Sequence, residues 1–212
     1  MKRDTALSIV PFAIWICLQG VLPATAWAYL ARSLATFAAL AALFRPARRR
    51  NSSGLPVISL FWAAAAGILV AGFWILPEGC AFYRKWVLWP FGAETPAGTE
   101  ASPYNPAICG WALTLAKLAG SAFVIAPAEE LFFRNFLYRW ISRGEAWREA
   151  RLGDWNWEAA LWMAFVFSLE HSPRFAVAFL CGLCYQFAAK KGGLAAAIGA
   201  HAATNFILGV YV

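Results

Sequence analysis

Charge is scarce in this sequence. Only 14% of its 212 residues are Asp, Glu, Lys or Arg, against 61% hydrophobic, whereas an ordinary soluble domain has about 25% charged and 45–50% apolar residues. With a mean hydropathy of +0.57, too little polar surface remains to coat a water-soluble globule, and so apolar a chain is neither disordered nor collagen-like. Cysteine is sparse as well: five residues, an odd number without framework spacing, so no disulfide scaffold is expected. The only aspartates are Asp4 and Asp154, both outside the apolar runs, which removes an aspartyl type of intramembrane proteolysis. No serine-nucleophile motif, internal repeat or low-complexity tract is present.

What is there is long hydrophobic runs. A spanning helix needs ~20 mostly apolar residues, and seven runs stand out: Ala6 to Leu22, Ala24 to Phe44, Leu55 to Leu76, Leu118 to Tyr138, Trp155 to Leu169, Arg174 to Ala189 and Leu194 to Val212. The expected fold is therefore all-α, a polytopic membrane helix bundle of about seven transmembrane helices, with residues 1–212 forming one integral membrane domain. The fifth and sixth runs are short and meet at Ser172-Pro173, which predicts a tight helical hairpin. Met1-Lys2-Arg3 and the small residues Ala24-Thr25-Ala26 imitate a cleavable signal peptide, but retention as a first span is expected because more spans follow. Residues 77–106, rich in Pro and Gly with Trp86 and Trp89, predict an external loop with an interfacial segment. The twelve tryptophans suit belts at headgroup level.

The net charge of +7 and pI of 9.4 do not imply a nucleic-acid partner, because the cations sit in gaps between apolar runs rather than along a polar face. They sort by side instead. Lys2, Arg3, Arg45, Arg48, Arg49, Arg50, Arg139, Arg143, Arg148, Arg151, Lys190 and Lys191 fall with the N-terminus, and Arg84, Lys85, Lys117 and Arg174 fall opposite. The positive-inside rule puts the N-terminus in the cytoplasm and the C-terminus outside, as in a bacterial inner membrane.

A charged side chain within hydrocarbon costs roughly 2.5–3.5 kcal/mol on insertion scales, so each is a functional hypothesis by default. Arg32 interrupts the second run. The main cluster is Ala126-Pro127-Ala128-Glu129-Glu130-Leu131-Phe132-Phe133-Arg134. On a helix Glu130 and Arg134 share a face at i, i+4 and can pair, while Glu129 points about 100° away and stays available. A second block, Phe167-Ser168-Leu169-Glu170-His171, ends the fifth run, and a third, His201-Ala202-Ala203-Thr204-Asn205, puts an imidazole and a carboxamide on one helix face.

An available glutamate, the chain's only two histidines and an asparagine make a set suited to attack by an activated water on a carbonyl. A carboxylate taken out of water accepts a proton more readily, as a general base must. A histidine beside it can help hold the water, and a second histidine with an amide NH₂ can donate to the developing oxyanion. Other readings stay open. Glu129, His171 and His201 could ligate zinc, three protein groups plus water being the usual catalytic arrangement. A transporter or immunity factor could instead use the buried charges to hold an ion or proton, with Pro127 breaking its helix. Cys181-Gly182-Leu183-Cys184 is read as small apolar packing within a span. One tension concerns depth: Glu129 sits near the midplane if its span is centred on it, whereas His171 lies ~22 Å along the fifth helix from the inner edge.

The blocks Glu129-Glu130-x-x-x-Arg134, Phe167-x-x-x-His171 and His201-x-x-x-Asn205, in this order on successive membrane segments, resemble the CPBP family. That family includes CAAX prenyl endopeptidases and bacteriocin-processing and immunity proteins. The resemblance covers Leu118 to the C-terminus, so residues 118–212 would carry the catalytic motifs, while the first 115 residues match by hydropathy alone. It implies a glutamate-type intramembrane endopeptidase with no metal or other cofactor, acting on a membrane-associated protein or peptide. By motif match Glu129 would be the catalytic base, His171 its partner on the water, and His201 with Asn205 the oxyanion donors. Glu130 and Arg134 would support the helix and the base, and Glu170 would be secondary. Size and aromatic richness are also similar to members associated with bacterial exosortase sorting. The chain ends in Val210-Tyr211-Val212, so it has no prenylation box of its own.

Overall fold

Lipid offers backbone groups no hydrogen-bond partner, so spanning segments must satisfy their own. In a computed structural model describing residues 3–44, 57–88, 102–172 and 174–211, no strand occurs among those residues. Lys2, the basic cluster Arg45, Arg48, Arg49 and Arg50, Trp89 and Pro173 lie outside the described residues. Helix α1 is Arg3–Val21. Helix α2, Ala26–Leu43, is capped by the Thr25 hydroxyl, which accepts from the Ala28 N–H. Helix α3 is Val57–Ile75, α4 covers residues 111–143 in consecutive helical segments, and α5, Trp157–Glu170, is capped by Asn156. Helix α6 is Phe175–Tyr211.

Among the described residues, five helices are long and apolar enough to cross a membrane: Arg3–Val21, Ala26–Leu43, Val57–Gly79, Trp111–Glu149 and Phe175–Tyr211. The seven expected segments are nevertheless all present. The fifth is α5, whose 14 residues reach only ~21 Å. The sixth and seventh are the two halves of α6, here α6a (175–192) and α6b (194–211), separated where Gly193 adopts φ +75°, a backbone state that side chains other than glycine rarely tolerate. The chain folds back there. Tyr185 and His201 stack with ring centroids 4.7 Å apart, where an unbroken helix would separate them by ~24 Å.

Small residues set the packing. A Cβ built on Gly67 of α3 would lie 2.9 Å from both the Ala200 carbonyl oxygen and the Ala203 Cβ of α6b. Thr204 donates its hydroxyl to the Gly67 carbonyl at 3.1 Å, and Ser59 donates to that of Gly192 at 2.8 Å, so α3 and α6b run parallel. On the other side, a Cβ on Gly182 of α6a would lie 3.1 Å from Ala164 of α5, the close approach expected of the hairpin read from Ser172-Pro173. With no hydrophobic force between helices in lipid, such contacts carry much of the association.

One end of the bundle gathers basic residues. Arg3 donates to the Leu43 and Ala42 carbonyls closing α2, Arg148 meets Thr5, and Arg139 donates to the Ala150 and Arg148 carbonyls. Tyr138 donates to the Asp154 carbonyl, and Lys190 lies 4.9 Å over the Trp155 ring. Helix α1 also binds the rest of the bundle: its Phe12 stacks on Phe132 at 4.7 Å, and Asn135 donates to its Ser8.

The glycine contact yields a direct test. Gly67→Ala should destabilise the protein by about 1–3 kcal/mol, because the carbonyl facing it is backbone and cannot rotate away. Gly72→Ala, whose new Cβ would find only Leu76 Cδ1 at 3.8 Å, should not. Thermal unfolding in detergent measures both, and equal midpoints would refute tight α3–α6b packing.

Candidate functional site

Pro127 shapes the helix that carries the glutamates. It has no N–H to continue the hydrogen-bond ladder, and its ring crowds the carbonyl four residues back. The helix absorbs this by widening: Ser121–Ile125 and Leu131–Tyr138 wind as π-helix on either side of the α-helical turn Ala126–Glu130. Such bulges re-aim side chains and favour functional sites, and here both glutamates turn into the bundle, Glu129 4% and Glu130 0% exposed.

Glu130 is fully enclosed. Its Oε1 lies 3.0 Å from Arg134 Nη1 and 2.8 Å from His201 Nδ1. A carboxylate only accepts, so the His201 ring presents Nδ1–H to it. Arg134, also 0% exposed, donates to the Gly182 carbonyl at 3.0 Å and lies 4.8 Å over the Phe167 ring. The i, i+4 pairing expected from sequence is therefore present. The third member, His201, is added from a helix that sequence spacing could not relate to it.

Glu129 is held differently. Its Oε2 stands 3.7 Å from His201 Nε2, too far for a hydrogen bond, and has no other hydrogen-bond partner. It lines a cavity of about 360 Å³ whose wall also includes His171, His201 and Asn205. The four expected residues thus meet around one space. His171 caps the C-terminus of α5, its Nδ1 2.9 Å from the Phe167 carbonyl. That contact uses Nδ1–H as donor and leaves Nε2 with a free lone pair. Asn205 donates to the Ser121 carbonyl at 3.0 Å, keeping its second amide hydrogen. Phe167 of the same block touches both imidazoles, with ring centroids 4.4 Å from His171 and 5.9 Å from His201. The depth tension resolves in the packing: His171, at the end of α5, reaches the same cavity wall as Glu129.

Sequence reading missed several contributors. Trp15, Tyr29 and Trp74 from the first three helices form part of the cavity wall, so the region known only by hydropathy helps build the site. Arg32 was the available signal: it is buried behind that wall, 5.1 Å over Trp15 and 5.7 Å over Tyr29. Glu170, treated as secondary, lines the cavity, and its buried Oε2 has no hydrogen-bond partner. Cys181 is also on the wall and is a free thiol, as are the other four cysteines. Among the described residues, no three His, Cys, Asp or Glu side chains are gathered closely enough to hold a metal ion.

Residues 111–207 match the family described as Rce1-like, type II CAAX prenyl endopeptidase Rce1-like. No curated protein and no solved structure matches the chain. The matched segment contains Glu129, Glu130, Arg134, His171, His201 and Asn205, together with the helices that bring them to one cavity. Over that segment the chain, an integral membrane protein, is similar to the CAAX-type intramembrane proteases of the CPBP family.

Proposed function

We propose that this protein is a glutamate-type intramembrane endopeptidase that cuts a peptide bond with an activated water and needs no cofactor. The observation that carries the reading is the cavity itself: an unpartnered glutamate oxygen, two imidazoles and a carboxamide facing one space among apolar helices. The substrate is a membrane-associated protein or peptide. The membrane of this reading is a bacterial inner membrane with the N-terminus in the cytoplasm, an orientation that the excess of Lys and Arg on that side supports.

In this mechanism a water sits between Glu129 Oε2 and His171 Nε2. Glu129 takes one of its protons, and the oxygen adds to the peptide carbonyl carbon as the carbonyl electron pair moves onto oxygen. The His201 ring, entering the step as an imidazolium whose Nδ1–H faces Glu130, donates Nε2–H to that oxyanion, and the free Asn205 amide N–H donates beside it. Glu130 faces the charge of that ring, and Arg134 keeps Glu130 in place. Collapse of the intermediate breaks the C–N bond. The departing nitrogen takes the bond pair and the proton held by Glu129, leaving an amine and a carboxylic acid. Water is the only co-reactant.

Two outcomes follow from the different settings of the neighbouring glutamates. Glu129→Gln and His171→Ala, assayed in lipid on a candidate peptide with chelator present, should each lose activity by about 10²–10⁴-fold while the protein remains inserted. Retained cleavage in either variant removes that residue from the mechanism, and activity lost to chelator in the unaltered protein restores the zinc reading.

Stability separates them further. Glu130→Gln strands the buried Arg134 guanidinium and should cost about 3–5 kcal/mol, whereas Glu129→Gln, which breaks no hydrogen bond, should leave the unfolding midpoint unchanged or raised. Equal losses in detergent unfolding experiments would contradict the division between a supporting and a reacting carboxylate.

A further inference from the structure

The cavity is not centred in the bundle. Gln19 belongs to the last turn of α1, Tyr29 to the first turn of α2, Trp74 to the last turn of α3, Lys117 to the second turn of α4, His171 to the end of α5 and Gly209 to the last turn of α6b. All six lie at the end of their helix remote from Arg3, Arg139, Arg148 and Lys190. Glu129 and His201 form the floor, and Gln19 is exposed. At the basic end, by contrast, Arg139 donates to the Ala150 and Arg148 carbonyls and Tyr138 to the Asp154 carbonyl. No residue of that end lines the cavity.

The charge asymmetry fixes what these two ends face. Twelve of the sixteen Lys and Arg outside the apolar runs fall with the N-terminus, and such an excess stays in the cytoplasm. We infer that the site receives its substrate from the extracytoplasmic face: a peptide segment standing at the outer surface of the membrane, on a chain that is anchored there or has crossed it. A cytoplasmic tail would meet the basic end, none of whose described residues lines the cavity that holds Glu129. The inference rests on the proposed hydrolase reading only for what happens to that peptide. The direction of entry depends on the cavity and the charges alone.

Cysteine accessibility tests the direction without calling on catalysis. In the full chain with its five native cysteines replaced by alanine, Gln19→Cys is placed at the mouth and Arg151→Cys at the basic end, and a membrane-impermeant maleimide is added to intact and to permeabilised cells. Q19C should label equally in both, and R151C only after permeabilisation. The reverse pattern overturns the proposal, as does labelling of both in intact cells. Leu208→Cys, on the same wall, replaces Q19C if that variant fails to accumulate. An impermeant quenched peptide added to sealed right-side-out and inside-out vesicles then tests the substrate. Cleavage confined to right-side-out vesicles supports extracytoplasmic entry, and cleavage confined to inside-out vesicles overturns it. Outward labelling of Q19C with no cleavage from either side would leave the entry route standing and count against the hydrolase reading.

Discussion

A fully buried guanidinium organises this bundle. Arg134 can remain in an apolar interior only because Glu130 lies against it, the Gly182 carbonyl accepts from it and aromatic faces cover the rest. Removing any one of these would leave a charge stranded among hydrocarbon side chains, where neither water nor lipid could compensate. The same carboxylate reaches His201 on the last helix. A single ion pair on α4 therefore ties together α4, α6a and α6b, and fixes the orientation of an imidazole that faces the cavity.

The neighbouring glutamate gains its freedom from that arrangement. Two adjacent carboxylates on an α-helix point about 100° apart, so one can be consumed by structure while the other stays unengaged. Pro127 and the widened turns around it make the separation useful, by turning both groups inward from a helix that would otherwise show one of them to lipid. The charged pair thus stabilises the fold and orients the site, while the oxygen of Glu129 is left without a hydrogen-bond partner.

Close helix approach is the second requirement. Gly67, Gly182 and Gly199 leave no room for a side chain against α6b, α5 and α3 respectively, and this proximity lets Phe167 contact both imidazoles. Aromatic residues then line the space that the small residues open: Trp15, Tyr29 and Trp74 wall it from the first three helices. A region without a recognisable motif supplies much of the wall because walling a cavity asks only for bulk and low polarity, which many sequences provide.

Local physics was legible in the chain before any coordinates. Run lengths gave the all-helical membrane fold, the Gly193 break agreed with the gap between the sixth and seventh runs, and i, i+4 spacing gave the Glu130–Arg134 pair, because each depends on residues close in sequence. Three things were not legible. The arrival of His171 at the cavity of Glu129, the bond from Glu130 to His201 and the position of the cavity towards one end depend on how distant helices pack, and hydropathy carries no record of register between them. The residue types suited to water activation were written in the sequence. Their meeting around one cavity, with Glu129 open and Glu130 occupied, was decided by the tertiary structure, because burial and partnership are properties of neighbours that only packing brings together.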